Sequence, residues 1–268
     1  MDTTQSHADQ NAAPTGKQQP SASPLPSITL PEGGGAIQSM GEKFDVNPTT
    51  GTVLIFSYNS GSGNGPFGFG WSLSLGSITR KTSRGIPQYL DAIESDTFVF
   101  AGVEDLVPVL QDDSSVWQDS DSLPGYSIKR YNPRIEGPFS RIERCSNESD
   151  LGDVWWRVTD AKNQLTVYGS NTQSRIYDPK DPSRIFEWLT SKVRDQKGKV
   201  TWFRYNEEDG AGVDLARAHQ QNRGPVDDVG RRSNRYIKSI VYGNLEPLLD
   251  PVGNRPQILP PERLRATA

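Results

Sequence analysis

Few residues of this 268-residue chain combine the types and spacings that chemistry requires. Gly63-Asn64-Gly65-Pro66-Phe67-Gly68 has the G-x-G-x-x-G spacing, whose glycines let a backbone approach phosphate oxygens when a helix N-terminus follows. Strand-like sequence follows instead, and Pro66 removes a donor from the loop. Neither a lysine in kinase context nor the D-F-G and H-R-D signatures appear later, so the run reads as a tight crossing and not a phosphate cradle. Nucleophilic catalysis needs a Ser or Cys beside a base, and the chain offers only Cys145, His7 and His219. No orienting carboxylate or oxyanion-hole pattern accompanies them, so Cys145 reads as buried or idle and His219 as a surface residue. One cysteine and two histidines also argue against zinc and against an internal disulfide.

Carboxylates cluster at Asp112-Asp113, Asp119-Ser120-Asp121 and Glu207-Glu208-Asp209 without EF-hand spacing, and read as solvated turn acids. A paired-acid glycosidase site is defined by separation in space, so it stays open at this level. Trp71, Trp155, Trp156, Trp188 and Trp202 offer either a sugar-stacking platform or packing between sheets. All five fall in strand-like segments, which favours packing. The basic cluster Arg231, Arg232 and Arg235 follows Asp227 and Asp228 and reads as solvated surface. No catalytic residue, cofactor or metal ligand is assigned, and the chain reads as a non-enzyme.

The elements that hold these residues are strands. Hydrophobic residues are 33% of the chain, while Gly and Pro number 25 and 20, a composition of many turns. The formal net charge of -4, with signs interspersed, gives no field for nucleic acid. Residues 1–26, rich in Gln, Ser, Ala and Pro, read as a disordered leader with no apolar run for a signal peptide or membrane span. Between the Gly33, Gly34, Gly35 run and the Asn47-Pro48 turn there is room for one short strand at most. Strands are predicted over Val53–Tyr58, Trp71–Leu75, Thr97–Phe100, Leu106–Leu110 and Tyr236–Tyr242. Val154–Val158 with Leu165–Tyr168, and Trp188–Val193 with Val200–Tyr205, read as hairpins through Asp160–Asn163 and Asp195–Gly198. In the second, Val200 and Trp202 face one way and Phe203 and Tyr205 the other, so this strand requires cover on both sides. Val213–Gln220 is the one short helix predicted, with Asp214 early and Arg217 late. Residues 246–268 read as a linker or frayed end.

The runs Leu30–Ile37, Gly41–Phe44 and Tyr58–Leu73 resemble the start of the SpvB-type domain, which opens the B subunits of insecticidal toxin complexes and a related plasmid virulence protein. The likeness is carried most specifically by Gly33, Gly34, Gly35, Gly61, Gly63, Gly65, Pro66, Phe67, Gly68, Gly70 and Trp71. It continues through Ile78–Lys81, Asp96–Phe98, Glu104–Leu110, Arg184–Phe186 and Arg194-Asp195 to Tyr242–Asn244. The resemblance implies a domain over 27–245, all-β, built of antiparallel hairpins and meanders as a shell- or barrel-like segment. It implies a structural part of a secreted, virulence-associated toxin complex that encapsulates and delivers a toxic fragment. The implied partners are a propeller, a repeat shell and the toxic C-terminal fragment. The implied location is extracellular without a recognisable signal peptide, or cytoplasmic before release. Between Gly51 and Tyr58 the chain is shorter than the family usually is, so a pair of strands is expected to be missing. The Glu-x-Glu signature of the ADP-ribosylating domain is absent here. A free-standing β-rich module binding glycan or protein is the competing reading.

Overall fold

The computed structural model describes residues 39–249, apart from 48–51, 62, 66, 136, 138, 216, 222, 224, 226 and 227. The Gly33, Gly34, Gly35 run, the leader and most of the C-terminal stretch lie outside the described residues, as does Pro66.

Strands are numbered in chain order. β1 (Ser39–Asn47), β2 (Thr52–Asn59) and β5 (Trp71–Ser74) make a three-stranded antiparallel sheet. The single strand expected ahead of Asn47 is therefore present, and at nine residues it is not short. β3 (Asn64–Gly65) and β4 (Gly68–Phe69) pair within the Gly-rich crossing between β2 and β5.

The second sheet has 12 strands. It begins with β6 (Ser77–Arg80), β7 (Phe98–Phe100), β8 (Glu104–Pro108), β9 (Gln118–Asp119) and β10 (Tyr126–Pro133). It continues with β11 (Arg141–Asn147), β12 (Val154–Thr159), β13 (Leu165–Tyr168), β14 (Arg175–Asp178), β15 (Asp181–Arg194), β16 (Val200–Glu207) and β17 (Arg235–Tyr242). Its order runs β13-β12-β11-β10-β8-β7-β6-β15, and β13 also pairs with β15, so these eight strands close on themselves as an antiparallel barrel. Closure removes the free edges that an open sheet of this length would expose. The fold is all-β, as the sequence indicates.

The long β15 makes closure possible. Its residues 187–189 pair with β6 and residues 190–194 with β13, while residues 192–194 also pair with β16 on the opposite edge. β16 and β17 then extend the sheet away from the barrel.

The pleat sends alternate side chains inward and outward. Inside the barrel pack Ile78, Phe98, Leu106, Tyr131, Ile142, Trp156, Tyr168, Ile185 and Trp188. Phe98, Tyr131, Trp156 and Trp188 meet at ring separations of 4.9–5.9 Å, mostly edge to face. Each aromatic ring of this size removes roughly 150–250 Å² from water, roughly 4–6 kcal/mol of transfer free energy before entropy is counted.

Outside the barrel, Cys145, Trp155, Leu165 and Val167 pack with Val200, Leu248 and the half-buried Trp202. Val193, Phe203 and Tyr205 form a third cluster under Leu73 and Leu75 of the first sheet region. β16 is thus covered on both faces, as its sequence requires. Leu248 is buried and its N–H donates to Gly198 O at 2.8 Å, so the packed cover reaches three residues into the stretch read as linker.

The helix expected over Val213–Gln220 shrinks to α1 (Ala218–Gln221). Gly210 and Gly212 both hold positive φ ahead of it, and the chain turns there instead of winding. Arg235 departs from the solvated reading of its cluster: it is 8% exposed, and its Nη1 donates to the carbonyls of Arg232, Ser233 and Asn234.

Candidate functional site

One end of the barrel is closed by the segment that joins β6 to β7, and charged side chains pointing inward hold it there. Alternation places Lys129 and Tyr131 of β10, Arg144 of β11 and Arg80 of β6 on the interior face. Side-chain exposure is 1% for Arg80 and 3% for Arg144. The segment meets them with Asp91, Glu94 and Asp96. Arg80 Nη1 donates to Asp91 Oδ1 at 2.6 Å and to Asp96 Oδ2 at 2.8 Å, and its Nε donates to Ile185 O at 2.7 Å. Arg144 Nη2 donates to Asp91 as well. Glu94 accepts from Lys129 Nζ at 2.6 Å and from Tyr131 Oη at 2.8 Å.

Backbone geometry is bent to make these contacts. Tyr89 (φ 61°) and Glu94 (φ 51°) occupy the left-handed region, which non-glycine residues rarely adopt and which needs surrounding contacts to hold it. The N–H groups of Gln88 and Tyr89 both donate to Asp96. The Arg80 guanidinium lies 4.6 Å from the Tyr89 ring centroid and 5.2 Å from that of Phe98, and Arg144 lies 5.2 Å from Phe98.

Burial pushes the Asp91 carboxyl up, but hydrogen bonding to Arg80 and the charges of Arg144 and Arg80 outweigh it, so the net shift is downward. Asp96 follows the same balance through the Gln88 and Tyr89 N–H groups and Arg80. Burial raises the Tyr131 hydroxyl well above its ordinary range. Both aspartates therefore stay ionised at neutral pH, and the site consists of matched, immobile charges suited to holding structure or presenting a surface.

The residues singled out in the sequence go elsewhere. Gly61, Gly63, Gly65, Phe67, Gly68, Gly70 and Trp71 lie in the crossing between β2 and β5. Gly61 N–H donates to Asn59 Oδ1, and Gly70 N–H donates to Gly63 O at 2.9 Å. Gly70 has φ 78°, and a Cβ there would stand 2.6 Å from Tyr58 Cε2. Phe56 stacks on Trp71 at 4.7 Å and meets Phe67 edge-on at 5.4 Å. β4 and β5 follow the G-x-G-x-x-G run, so no helix N-terminus faces it.

Cys145 is 0% exposed and burial pushes its thiol up to about 12, the opposite of an activated nucleophile. His219 lies in α1. Asp113 and Asp119 are spent on turn hydrogen bonds to Ser115 and Ser122, and Glu208 pairs with Arg223. Among the described residues no cluster of three or more His, Cys, Asp and Glu could hold a metal ion. Of the five tryptophans, Trp155, Trp156 and Trp188 are 7%, 0% and 0% exposed and pack in the interior or against it, which removes them from any sugar platform, while Trp71 and Trp202 are half-buried. Sequence reasoning missed Arg80, Lys129 and Arg144 as a set, since nothing in a strand-like run marks a charged residue as inward-facing.

The profile of the family described as Salmonella virulence plasmid 65kDa B protein, SpvB, matches residues 43–262. The chain belongs to the SpvB family. Among curated members, the mono(ADP-ribosyl)transferases SpvB of Salmonella typhimurium and Salmonella dublin are 34% identical over 205 residues, covering 74% of this chain and 33% of each relative. The chain thus spans about a third of the length of the curated relatives it matches. The N-terminal domain of effector protein SpvB from Salmonella typhimurium strain LT2 superposes with a TM-score of 0.64 at 32% identity, over 80% of this chain and 66% of that one. The crystal structure of TcdB2-TccC3-Cdc42 matches with a TM-score of 0.63 at 26% identity, over 78% of this chain and 9% of the other.

The non-enzyme reading is corrected by these names, since the curated family members are mono(ADP-ribosyl)transferases. That reading rested on the lack of a nucleophile, base or metal set in this chain. Such a search is blind to chemistry carried by the two thirds of the relatives that the match leaves out. Relatedness does place the chain among toxin-associated, virulence-related proteins. Among the described residues no helix is long and apolar enough to cross a membrane.

Proposed function

We propose that the chain serves as a wall segment of a toxin-complex shell, assembling with propeller- and repeat-type domains around a toxic C-terminal fragment. The observation that carries this reading is the shared fold, at 26–32% identity over about four fifths of the chain, with both an SpvB N-terminal domain and a TcdB2-TccC3 assembly. The physics of the barrel is consistent with it. A closed barrel packed with aromatics, sealed by ion pairs and backed on its outer face by β16, is a rigid block whose interior offers no room for cargo. Its use is then as a wall, with partners on its outside. In this reading the domain occupies 27–245 with Leu248 clipped to it, and the chain acts outside the cell that makes it. Gly61, Gly63, Gly65, Phe67, Gly68, Gly70 and Trp71 shape the crossing that lets β5 return beside β2.

The test is complementation of a TcdB2-TccC3-type pair from which the homologous segment has been deleted. Addition of this chain is expected to restore a closed hollow particle, visible by electron microscopy and co-eluting on size exclusion. Failure to co-elute, with the chain itself folded, would overturn the proposal.

A further inference from the structure

On the outer wall of the barrel, across β8, β10, β11 and β12, lies a cleft of about 860 Å³. Register sets its floor: Val107 of β8 stands opposite Asn132 of β10, and Arg141 of β11 opposite Thr159 of β12. These four alternate with the inward-facing Leu106, Tyr131, Ile142 and Val158, and so point outward. Arg134 and Phe139, from the connection between β10 and β11, complete the lining, and Phe139 is 91% exposed.

The wall around the cleft carries more positive charge than its acids neutralise. Lys81, Arg130, Arg134, Arg141 and Arg157 share two carboxylates, Asp105 and Glu143. Lys81 holds Asp105 through both oxygens, at 2.7 and 2.6 Å, and Arg157 holds Glu143 at 2.7 Å. The cleft arginines come second: Arg134 reaches Asp105 only at 3.7 Å and Arg141 reaches Glu143 at 3.3 Å, each through Nε. Their side chains are 50% and 56% exposed, and among the described residues neither guanidinium donates a hydrogen bond. Asp160 at the rim is taken by its own turn, its Oδ1 accepting from Gln164 N–H at 2.8 Å. Two guanidinium forks thus stand open to solvent beside an uncovered aromatic ring.

An anion is the group this wall lacks, and the forks match the geometry of a carboxylate. A free inorganic anion would leave Phe139 uncovered. A nucleic acid would meet a chain of net charge -4 whose positive patch spans only a few strands. A carboxylate next to an apolar side chain satisfies both the arginines and Phe139, and an acidic stretch of polypeptide supplies that pair.

We infer that the cleft docks an acidic segment of a partner polypeptide, its carboxylates accepting from Arg134 and Arg141 while a neighbouring apolar side chain packs on Phe139. Taking the ligand to be polypeptide is the one step that rests on the assembly reading. Peptide binding by the isolated chain stands or falls without a reconstituted shell.

The experiment is a titration of ¹⁵N-labelled full chain with acetyl-Glu-Phe-Glu-amide at low salt, following the amide resonances of Arg141 and Thr159. A saturable shift of both is expected, and salt raised to about 0.5 M should weaken it by screening. Arg134→Gln and Arg141→Gln, at half-exposed sites and checked for an otherwise unchanged amide spectrum, should each weaken binding about three- to five-fold, the range of an exposed ion pair. No saturable shift, equal binding of acetyl-Gln-Phe-Gln-amide, or unaltered affinity in both variants would overturn the proposal. Inorganic phosphate that displaces the peptide at equal concentration would also overturn it, in favour of a site for a free anion.

Discussion

Arg80 grips Asp91 with both ends of its guanidinium: Nη1 reaches Oδ1 at 2.6 Å and Nη2 reaches Oδ2 at 2.9 Å. The fork-to-fork geometry joins the wall of the barrel at β6 to the segment that closes its end, and Arg144 adds a second guanidinium to the same carboxylate. Asp91 is the only one of the three whose side chain is appreciably accessible, at 27%. Removing it leaves Arg144 without its carboxylate and Arg80 with Asp96 alone, two nearly inaccessible cations in one site. Asp91→Asn is therefore predicted to destabilise the fold by about 3 kcal/mol, the lower end for breaking a buried pair because the site is partly wet. Urea unfolding followed by tryptophan fluorescence measures it. Asp112→Asn, on an exposed turn, should leave the midpoint where it was, and equal midpoints for the two variants would show that the pair contributes nothing.

Acid should act on the same site. The folded-state values of Asp91, Asp96 and Asp153 are all lowered: burial opposes the shift in each, and hydrogen bonds and positive charges overcome it, from Tyr126 and Arg175 in the case of Asp153. A depressed carboxylate contributes stability above its unfolded value, near pH 4, and loses it as pH falls through the folded value. The melting temperature should hold steady from neutral pH down to about pH 5 and then drop steeply below about pH 4. Asp91→Asn and Asp96→Asn together should flatten that drop. A slope unchanged in the double variant would place the acid sensitivity elsewhere.

The site and the fold were unequally legible in the sequence, for a physical reason. β5, β12, β13, β16 and β17 alternate large apolar residues with polar ones or bury both faces, and their positions follow from that pattern. β10 and β11 do not, because their inward positions include Lys129 and Arg144, and a charge facing inward inverts the pattern that marks a strand. The charges that spoil the pattern are those that bind the closing segment. The helix over Val213–Gln220 failed for another reason: it had suitable terminal charges, but four residues cannot repay nucleation without a packed face. The spacing of Gly63 to Gly68 was legible as glycine and not as function, since the element that follows decides what such a loop does.

Gly169 provides a steric test of the barrel interior. It sits at φ 66°, and a Cβ there would lie 2.3 Å from Trp188 Cδ1, whose ring is fixed by a hydrogen bond from Nε1 to Val154 O at 2.7 Å. Gly169→Ala combines backbone strain with overpacking, and about 2–4 kcal/mol of destabilisation is expected. Gly102→Ala, at φ 74° with nothing within 4 Å, carries the backbone part alone. The difference between the two variants in thermal unfolding isolates the clash with Trp188. If both fall by the same amount, Trp188 can move aside and the interior is looser than its packing indicates.

Cys145 turns burial into a chemical readout of barrel integrity. The thiol lies in the outer-face cluster with Leu123, Ile128, Trp155, Val200 and Leu248, and its upward shift to about 12 comes first from burial, against the lowering effect of Arg157. The thiolate is the nucleophile, and so small a thiolate fraction at neutral pH, with no access, makes alkylation depend on opening of the β16 cover. Native protein should react with iodoacetamide orders of magnitude more slowly than protein in denaturing urea. Val200→Ala, which thins the cover without touching the barrel interior, should speed the native reaction while leaving the unfolded rate alone. Rapid alkylation of the native wild-type chain would mean that β16 and Leu248 do not stay closed over the barrel, and with them would go the rigid wall on which the assembly role depends.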